Sequence, residues 1–147
     1  MKIDILDELA NAKSPAYLLH QVNCRGAWGA GLSGQISARH PIAEVDYRAH
    51  CQNYSPERLI GTYRTTSLGN SKYITHLFGQ LDYGNDGKRY TNYVMLASAM
   101  FSFALKVPNA RVLLPKGIGC GYGGGDWQIV QLLIKDTFAH RLTICEL

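Results

Sequence analysis

The chain lacks any apolar run long enough to cross a bilayer, so no transmembrane helix and no membrane partner are expected. Its opening residues, MKIDILDELA, carry acids early and hold no continuous apolar segment. They do not read as a signal peptide, and the cytosol is the expected location. No Cys-x-x-Cys pair occurs, and the four cysteines (Cys24, Cys51, Cys120 and Cys145) stand in no His/Cys array with zinc-like spacing. They are expected to be free thiols, with no metal and no cofactor. Positive charge is not concentrated either. The net charge is +4, and Lys13, Arg25, Arg39, Arg48, Arg58, Arg64, Lys72, Lys88 and Arg89 are scattered. A nucleic-acid footprint needs a patch or stripe, so a nucleic-acid partner is not expected. Repeats, linkers and low-complexity tails are absent, and 147 residues suit one domain, 1–147.

What is present alternates between strand-like and helix-like segments. Residues 2–5 read as a short edge strand and 6–12 as a turn or short helix. AYLLHQV (16–22) follows the Ser14-Pro15 breaker and has strand length. Residues 31–40 read as a helix stopping before Pro41, and 42–54 as a second one, with Ile42, Val45, Tyr47 and Ala49 near one face. LIGTYRTTSL and KYITHLFGQ read as strands joined around Gly69-Asn70. In residues 91–107 the apolar stripe is placed at Val94, Ala97, Met100, Phe101, Ala104 and Leu105. RVLLP (111–115) reads as a buried strand. Residues 127–140 read as a helix with Ile129, Leu132, Leu133 and Phe138 inward, and 141–147 as a last strand. The alternation predicts an α/β fold with a mixed or largely parallel sheet covered on both faces.

Glycine is concentrated in two places. NCRGAWGAGLSG (23–34) has four glycines in twelve residues, and residues 117–125 have six in nine. Each lies between an apolar strand and a helix. Ligands of such sheets bind beyond the carboxyl ends of the strands, where a helix N-terminus offers free N–H groups. One such loop suits a phosphate and two facing loops suit a diphosphate. The spacing Gly26, Gly29, Gly31, Gly34 does not fit G-x-G-x-x-G. Lys116 precedes its glycine run rather than ending it, so a P-loop is not expected.

HQVNCRGAWGAGLSGQI, followed by LLPKGIGCGYGGGDW, resembles the macro domain family. Within it the likeness is to the fungal-type ADP-ribose-1''-monophosphate phosphatase and the ADP-ribosyl-glutamate hydrolase branch. It extends through ISARHPIAEVDY to both ends, KIDILD and LTICEL, and is loose over residues 59–90. The resemblance implies a macro domain fold, three α/β/α layers around a mixed central sheet. It implies ADP-ribose or ADP-ribose 1''-phosphate as ligand, and ADP-ribosylated protein as a further partner. Asp4 and Ile5 fall where the family holds the adenine, and Leu147 where it closes that pocket. Asn23 falls near the distal ribose. Trp28, Gly29, Ala30, Gly31 and Leu32 match the first phosphate and ribose loop. Gly117, Ile118, Gly119, Cys120, Gly121, Tyr122 and Gly123 match the second. His20 matches a histidine tied to phosphatase activity. The chain departs from the pattern at Ile3, where the family commonly has glycine. It also has Gly79-Gln80 where the hydrolase has a catalytic lysine, and Gly123 where the hydrolase has an aspartate.

Histidine is the usual proton-transfer side chain near neutral pH, so His20 and Asn23 are the catalytic candidates. The alternative for His20 is a hydrogen-bonded core histidine. Residues 20 and 23 of one strand point to opposite faces, so one of them must lie past the strand end or His20 must point away. Asp126 reads first as a helix cap. Asp82, Asp86 and His76 are further candidates, and Tyr122 is expected over the ligand. Three functions share this pocket: a phosphatase, which is favoured, a non-catalytic ADP-ribose reader, and a hydrolase of ADP-ribosylated protein or nucleic acid.

Overall fold

The computed structural model describes residues 4–13, 15–138 and 142–145, and for 142 and 143 the backbone alone. The elements are α1 (Ile5–Asn11), β1 (Ala16–Asn23), α2 (Gly31–Arg39), α3 (Pro41–Asn53), α4 (Pro56–Leu59), β2 (Tyr63–Gly69), β3 (Lys72–Gln80), α5 (Tyr93–Lys106), β4 (Arg111–Pro115), α6 (Trp127–Phe138) and β5 (Leu142–Cys145). The sheet order is β2-β3-β1-β4-β5. β2 runs antiparallel to β3, and the other pairings are parallel. The sheet is therefore mixed, with the carboxyl ends of β1, β3 and β4 at one edge.

Strand alternation builds the two outer layers. Ala16 and Leu18 of β1 and Ile74 of β3 pack with Ile5, Leu6 and Leu9 of α1, Ile36 of α2 and Ala43 of α3. Leu19, Leu77, Val112 and Leu114 pack on the opposite face with α5 and α6. This is the expected α/β/α arrangement.

The ends of the elements follow their local chemistry. Asp4 caps α1, its carboxylate accepting from the N–H of Leu6 at 2.9 Å and of Asp7 at 3.2 Å. Residue 5 is thus helical rather than the end of an edge strand, and residues 2 and 3 lie outside the described ones. Pro41 starts α3, where its missing N–H costs nothing. Asn92 caps α5 through Met95 N–H at 3.1 Å. Asp126 caps α6 through Gln128 N–H at 2.9 Å, as its position before the helix predicts. The β2–β3 turn sits one residue later than expected, with Asn70 and Ser71 both at positive φ, 53° and 59°. β2 begins at Tyr63, because residues 56–59 form the turn of α4.

Three helical faces differ from expectation. α5 buries Leu96, Ala99, Met100 and Phe103, while Val94, Phe101 and Leu105 are exposed. α6 buries Val130, Ile134 and Phe138, leaving Ile129 and Leu132 outside. In α3, Ala43 and Tyr47 are buried, and Ile42 and Val45 are exposed. α6 keeps Gln128, Gln131 and Lys135 off its buried stripe, whereas α5 is apolar nearly all round, so spacing alone does not set its phase. The contact of α5 with α6 and the sheet does.

Candidate functional site

A cleft opens over the carboxyl ends of β1, β3 and β4. It comprises two adjoining chambers, of about 420 Å³ and about 250 Å³, which share Gln21, Gly29, Ser33, Gln80, Tyr122 and Gly123. That size suits a small organic ligand. The smaller chamber lies between the two glycine loops, Gly29–Leu32 on one side and Lys116–Gly123 on the other. The larger one continues past Asn23, Ala27 and Trp28 to Tyr83, Gly84 and Asn85. Among the described residues that line the cleft, Lys116 is the one charged side chain other than histidine, and no carboxylate is present.

The loops supply N–H groups. α2 begins at Gly31 with no side-chain cap, so its first-turn amides remain open. In the second loop, the amides of Ile118 and Cys120 donate to Pro115 and Gly117, and those of Gly124 and Gly125 to Gly121 and Gly119. The amides of Gly119, Gly121, Tyr122 and Gly123 make no backbone hydrogen bond among the described residues. Gly119 holds φ +75°, and a Cβ at Gly123 would stand 2.8 Å from the Gly119 carbonyl and 2.6 Å from Thr91 Oγ1. An aspartate at position 123 would not fit this loop as it stands. The two loops differ in one respect that their shared pattern did not predict. Only the first opens a free helix N-terminus on the cleft; that of α6 is closed by Asp126.

The polar residues behind the loops hold them together. Gln21 Nε2 donates to Gln80 Oε1 and Thr91 Oγ1, both at 2.8 Å, and Thr91 donates to the Gly119 carbonyl at 2.6 Å. Gln21 Oε1 is buried without a hydrogen-bond partner. Asn23 is committed locally. Its Oδ1 accepts from Arg25 N–H at 2.9 Å, Ala27 N–H at 3.2 Å and the Tyr47 hydroxyl at 3.0 Å, and its Nδ2 donates to the Ala27 carbonyl at 2.7 Å. The conflict between positions 20 and 23 is resolved by a register shift between Val22 and Asn23. The extra residue, Gly79, lies on β3, and Asn23, the last residue of β1, meets Tyr47 of α3 at the point where the regular pairing ends.

His20 lies beneath the floor of the smaller chamber with 3% of its surface exposed. It pairs in register with His76, and His20 Nε2 is 2.7 Å from His76 Nδ1. Its Nδ1 lies 3.4 Å from Ser33 Oγ. Burial drives the His20 pKa down from its ordinary 6.5 to about 3. Burial, followed by the charges of His20, Arg64 and His50, drives His76 down as well. Both rings are neutral at physiological pH.

The other candidates disperse. Ile5 is fully buried in the core, and Asp4 caps α1; neither lines the cleft. Leu147 lies outside the described residues. Trp28 lines the larger chamber and donates through Nε1 to the Ser33 carbonyl at 2.9 Å. Tyr122 is 76% exposed and borders both chambers. Asp82 pairs with Arg25 at 2.6 Å, and Asp86 accepts from the Tyr90 hydroxyl at 3.0 Å. The residues between them, Tyr83 to Asn85, reach the cleft instead. Burial pushes the Cys24 thiol up to about 12 and raises Cys120 too, which disfavours the thiolate form at both. Sequence reasoning missed Gln21, Ser33, Gln80, Tyr83 and Asn85. The strand-end and loop positions were visible, but nothing local marked these side chains.

No family model matches the sequence. Among curated proteins, the chain is 33% identical over 85 residues to the ADP-ribose 1''-phosphate phosphatase of Saccharomyces cerevisiae, covering 54% of this chain and 48% of that protein. It is 39% identical over 59 residues to the protein of the same name from Aspergillus oryzae, covering 39% and 29%. The chain thus spans less than half the length of these relatives. Among solved structures, a Bacteroides thetaiotaomicron protein of unknown function superimposes with TM-score 0.89 at 24% identity, covering 100% of this chain and 96% of that one. The macrodomain of Mycobacterium tuberculosis DarG gives 0.72 at 22%, covering 94% and 91%. Thermosipho africanus DarTG in complex with ADP-ribose gives 0.67 at 19%, covering 92% and 37%. No helix among the described residues is long and apolar enough to cross a membrane. The chain thus has the fold of the macrodomains, and over part of its length its sequence is similar to the fungal ADP-ribose 1''-phosphate phosphatases.

Proposed function

We propose that this chain binds ADP-ribose in the two-chambered cleft and hydrolyses ADP-ribose 1''-phosphate to ADP-ribose and phosphate. The observation that carries the reading is the facing pair of glycine loops, with open amides on both and, among the described residues, no carboxylate lining the cleft. Open amides stabilise an anion, and an absent carboxylate spares it repulsion. The names of the fungal relatives and the ADP-ribose in the Thermosipho complex support the same ligand. The diphosphate is assigned to the smaller chamber between the loops. The distal ribose is assigned to the larger, uncharged one beside Asn23. Tyr122 closes over the ligand. The role proposed for Asn23 is to hold the 23–27 loop in shape. His20 is proposed to act as a neutral hydrogen-bonding group through Ser33 rather than as a resting imidazolium.

A second reading, a module that binds ADP-ribose without chemistry, is favoured by the burial of His20 and by the lack of a carboxylate among the described residues that line the cleft. One experiment separates the two. The protein is incubated with ADP-ribose 1''-phosphate and released phosphate is measured, beside His20→Gln and Asn23→Ala, with ADP-ribose binding followed by calorimetry. Phosphate release that falls in both variants supports the enzyme. No release with intact ADP-ribose binding leaves the binding module, and no ADP-ribose binding overturns both.

A further inference from the structure

The hydrogen bonds behind the cleft run in one direction. Arg64 of β2 pairs with Asp46 of α3 at 2.9 Å. Burial opposes ionisation of Asp46, but hydrogen bonds from Arg64 and Thr66 outweigh it and hold the carboxyl below its ordinary range. As a carboxylate it only accepts, so the Thr66 hydroxyl donates to Asp46 Oδ2 at 2.6 Å. Thr66 Oγ1 also lies 2.9 Å from His76 Nε2. Its single hydrogen is already used, so Nε2 of His76 must donate. A neutral imidazole carries one N–H, so His76 Nδ1 is bare and accepts from His20 Nε2 at 2.7 Å. His20 Nδ1 is then bare in turn, and Ser33 Oγ, 3.4 Å away, is its donor. Ser33 borders both chambers.

We infer that Ser33 is a specificity residue whose hydroxyl accepts a hydrogen bond from a ribose hydroxyl of the ligand, and that the chain Asp46–Thr66–His76–His20 sets this polarity. The inference rests on the ADP-ribose reading above. With its hydrogen turned to His20, Ser33 offers only lone pairs to the cleft. A phosphate oxygen, also an acceptor, finds no partner there, whereas a ribose hydroxyl does. Turning the Ser33 hydrogen outward to a phosphate would leave Nδ1 of a buried imidazole unpaired. Thr66 and His76 touch no ligand; they are positioning residues acting through His20.

Loss of the Thr66 hydroxyl has a specific consequence. His76 Nε2–H would have no acceptor, so the ring shifts its proton to Nδ1 and donates to His20 Nε2. His20 then carries its proton on Nδ1 and donates to Ser33, and the whole chain reverses. The test combines ¹⁵N-histidine NMR of the free protein with calorimetry using ADP-ribose and ADP, which lacks the distal ribose. Wild type is expected to hold both His20 and His76 as Nε2–H tautomers. Thr66→Val converts both to Nδ1–H, and Thr66→Ser restores them. Ser33→Ala weakens ADP-ribose about fivefold, the worth of one neutral hydrogen bond, and leaves ADP unchanged. Thr66→Val turns the Ser33 hydrogen to the cleft, where a ribose hydroxyl can accept it, so ADP-ribose is weakened less than in Ser33→Ala. An Nδ1–H tautomer at His20 in wild type overturns the relay. Equal loss for ADP and ADP-ribose in Ser33→Ala, or no loss, overturns the ribose contact. Wild type that binds neither ligand overturns the ADP-ribose reading and the ribose contact with it, while the tautomers judge the relay independently.

Discussion

Lowering the pH from about 7 to about 5 should destabilise this protein chiefly through His20 and His76. Both are buried, 3% and 0% exposed, and both are hydrogen-bonded as neutral rings. The unfolded chain takes up a proton on each imidazole as the pH passes 6.5, while folded His20 resists until about 3. Stability is therefore full above the unfolded value and is lost as the pH falls below it. Linkage over this window gives about 2 kcal/mol for His20, a sizeable part of a typical domain's roughly 5–15 kcal/mol, and His76, also lowered by burial, acts in the same direction. His40 and His50, whose values are also lowered by burial, act in the same direction. Asp46 stays ionised throughout, because its value lies below the ordinary one. Urea unfolding at the two pH values measures the loss. Imidazole proton NMR across the same range assigns it, with the His20 and His76 signals stationary. An unfolding midpoint independent of pH, or signals from these two rings titrating near 6.5, would refute the reasoning.

Tyr47→Phe removes the hydroxyl that donates to the Asn23 carbonyl at 2.7 Å and meets its Oδ1 at 3.0 Å. It should cost about 1–2 kcal/mol in denaturant unfolding and weaken ADP-ribose binding through the 23–27 loop. Gly123→Ala forces a Cβ against the Gly119 carbonyl. Calorimetry should show loss of ADP-ribose binding, with about 1–3 kcal/mol lost in stability, while a variant that binds normally would show that the loop adapts. Phe103→Ala should cost about 3–5 kcal/mol, because Phe103 is fully buried under α5. Phe101→Ala, two residues away and 57% exposed, should stay within about 0.5 kcal/mol. If the anion is held by backbone amides as proposed, removal of divalent metals with a chelator should leave any phosphate release unchanged; loss on chelation would contradict that assignment.

The sequence by itself determined most of the alternation of strands and helices, both glycine loops and the Asp126 cap. These rest on local chemistry: turn residues, caps and strand length act within a few positions of the chain. The tertiary structure alone decided which face of α5 is buried, because a sequence apolar on nearly every side carries no phase. It also decided what stands behind the loops. His20 and His76 are 56 residues apart in the chain and meet because β1 and β3 pair in that register. The register shift opposite Val22/Asn23, where Gly79 of β3 is the extra residue, is likewise a property of the paired strands. Register between parallel strands is set by the elements that cross between them and by the layers packed on each face, and no single segment encodes it. Ser33 shows the result: its position at the start of α2 was legible, but its partner in the buried histidine pair was not.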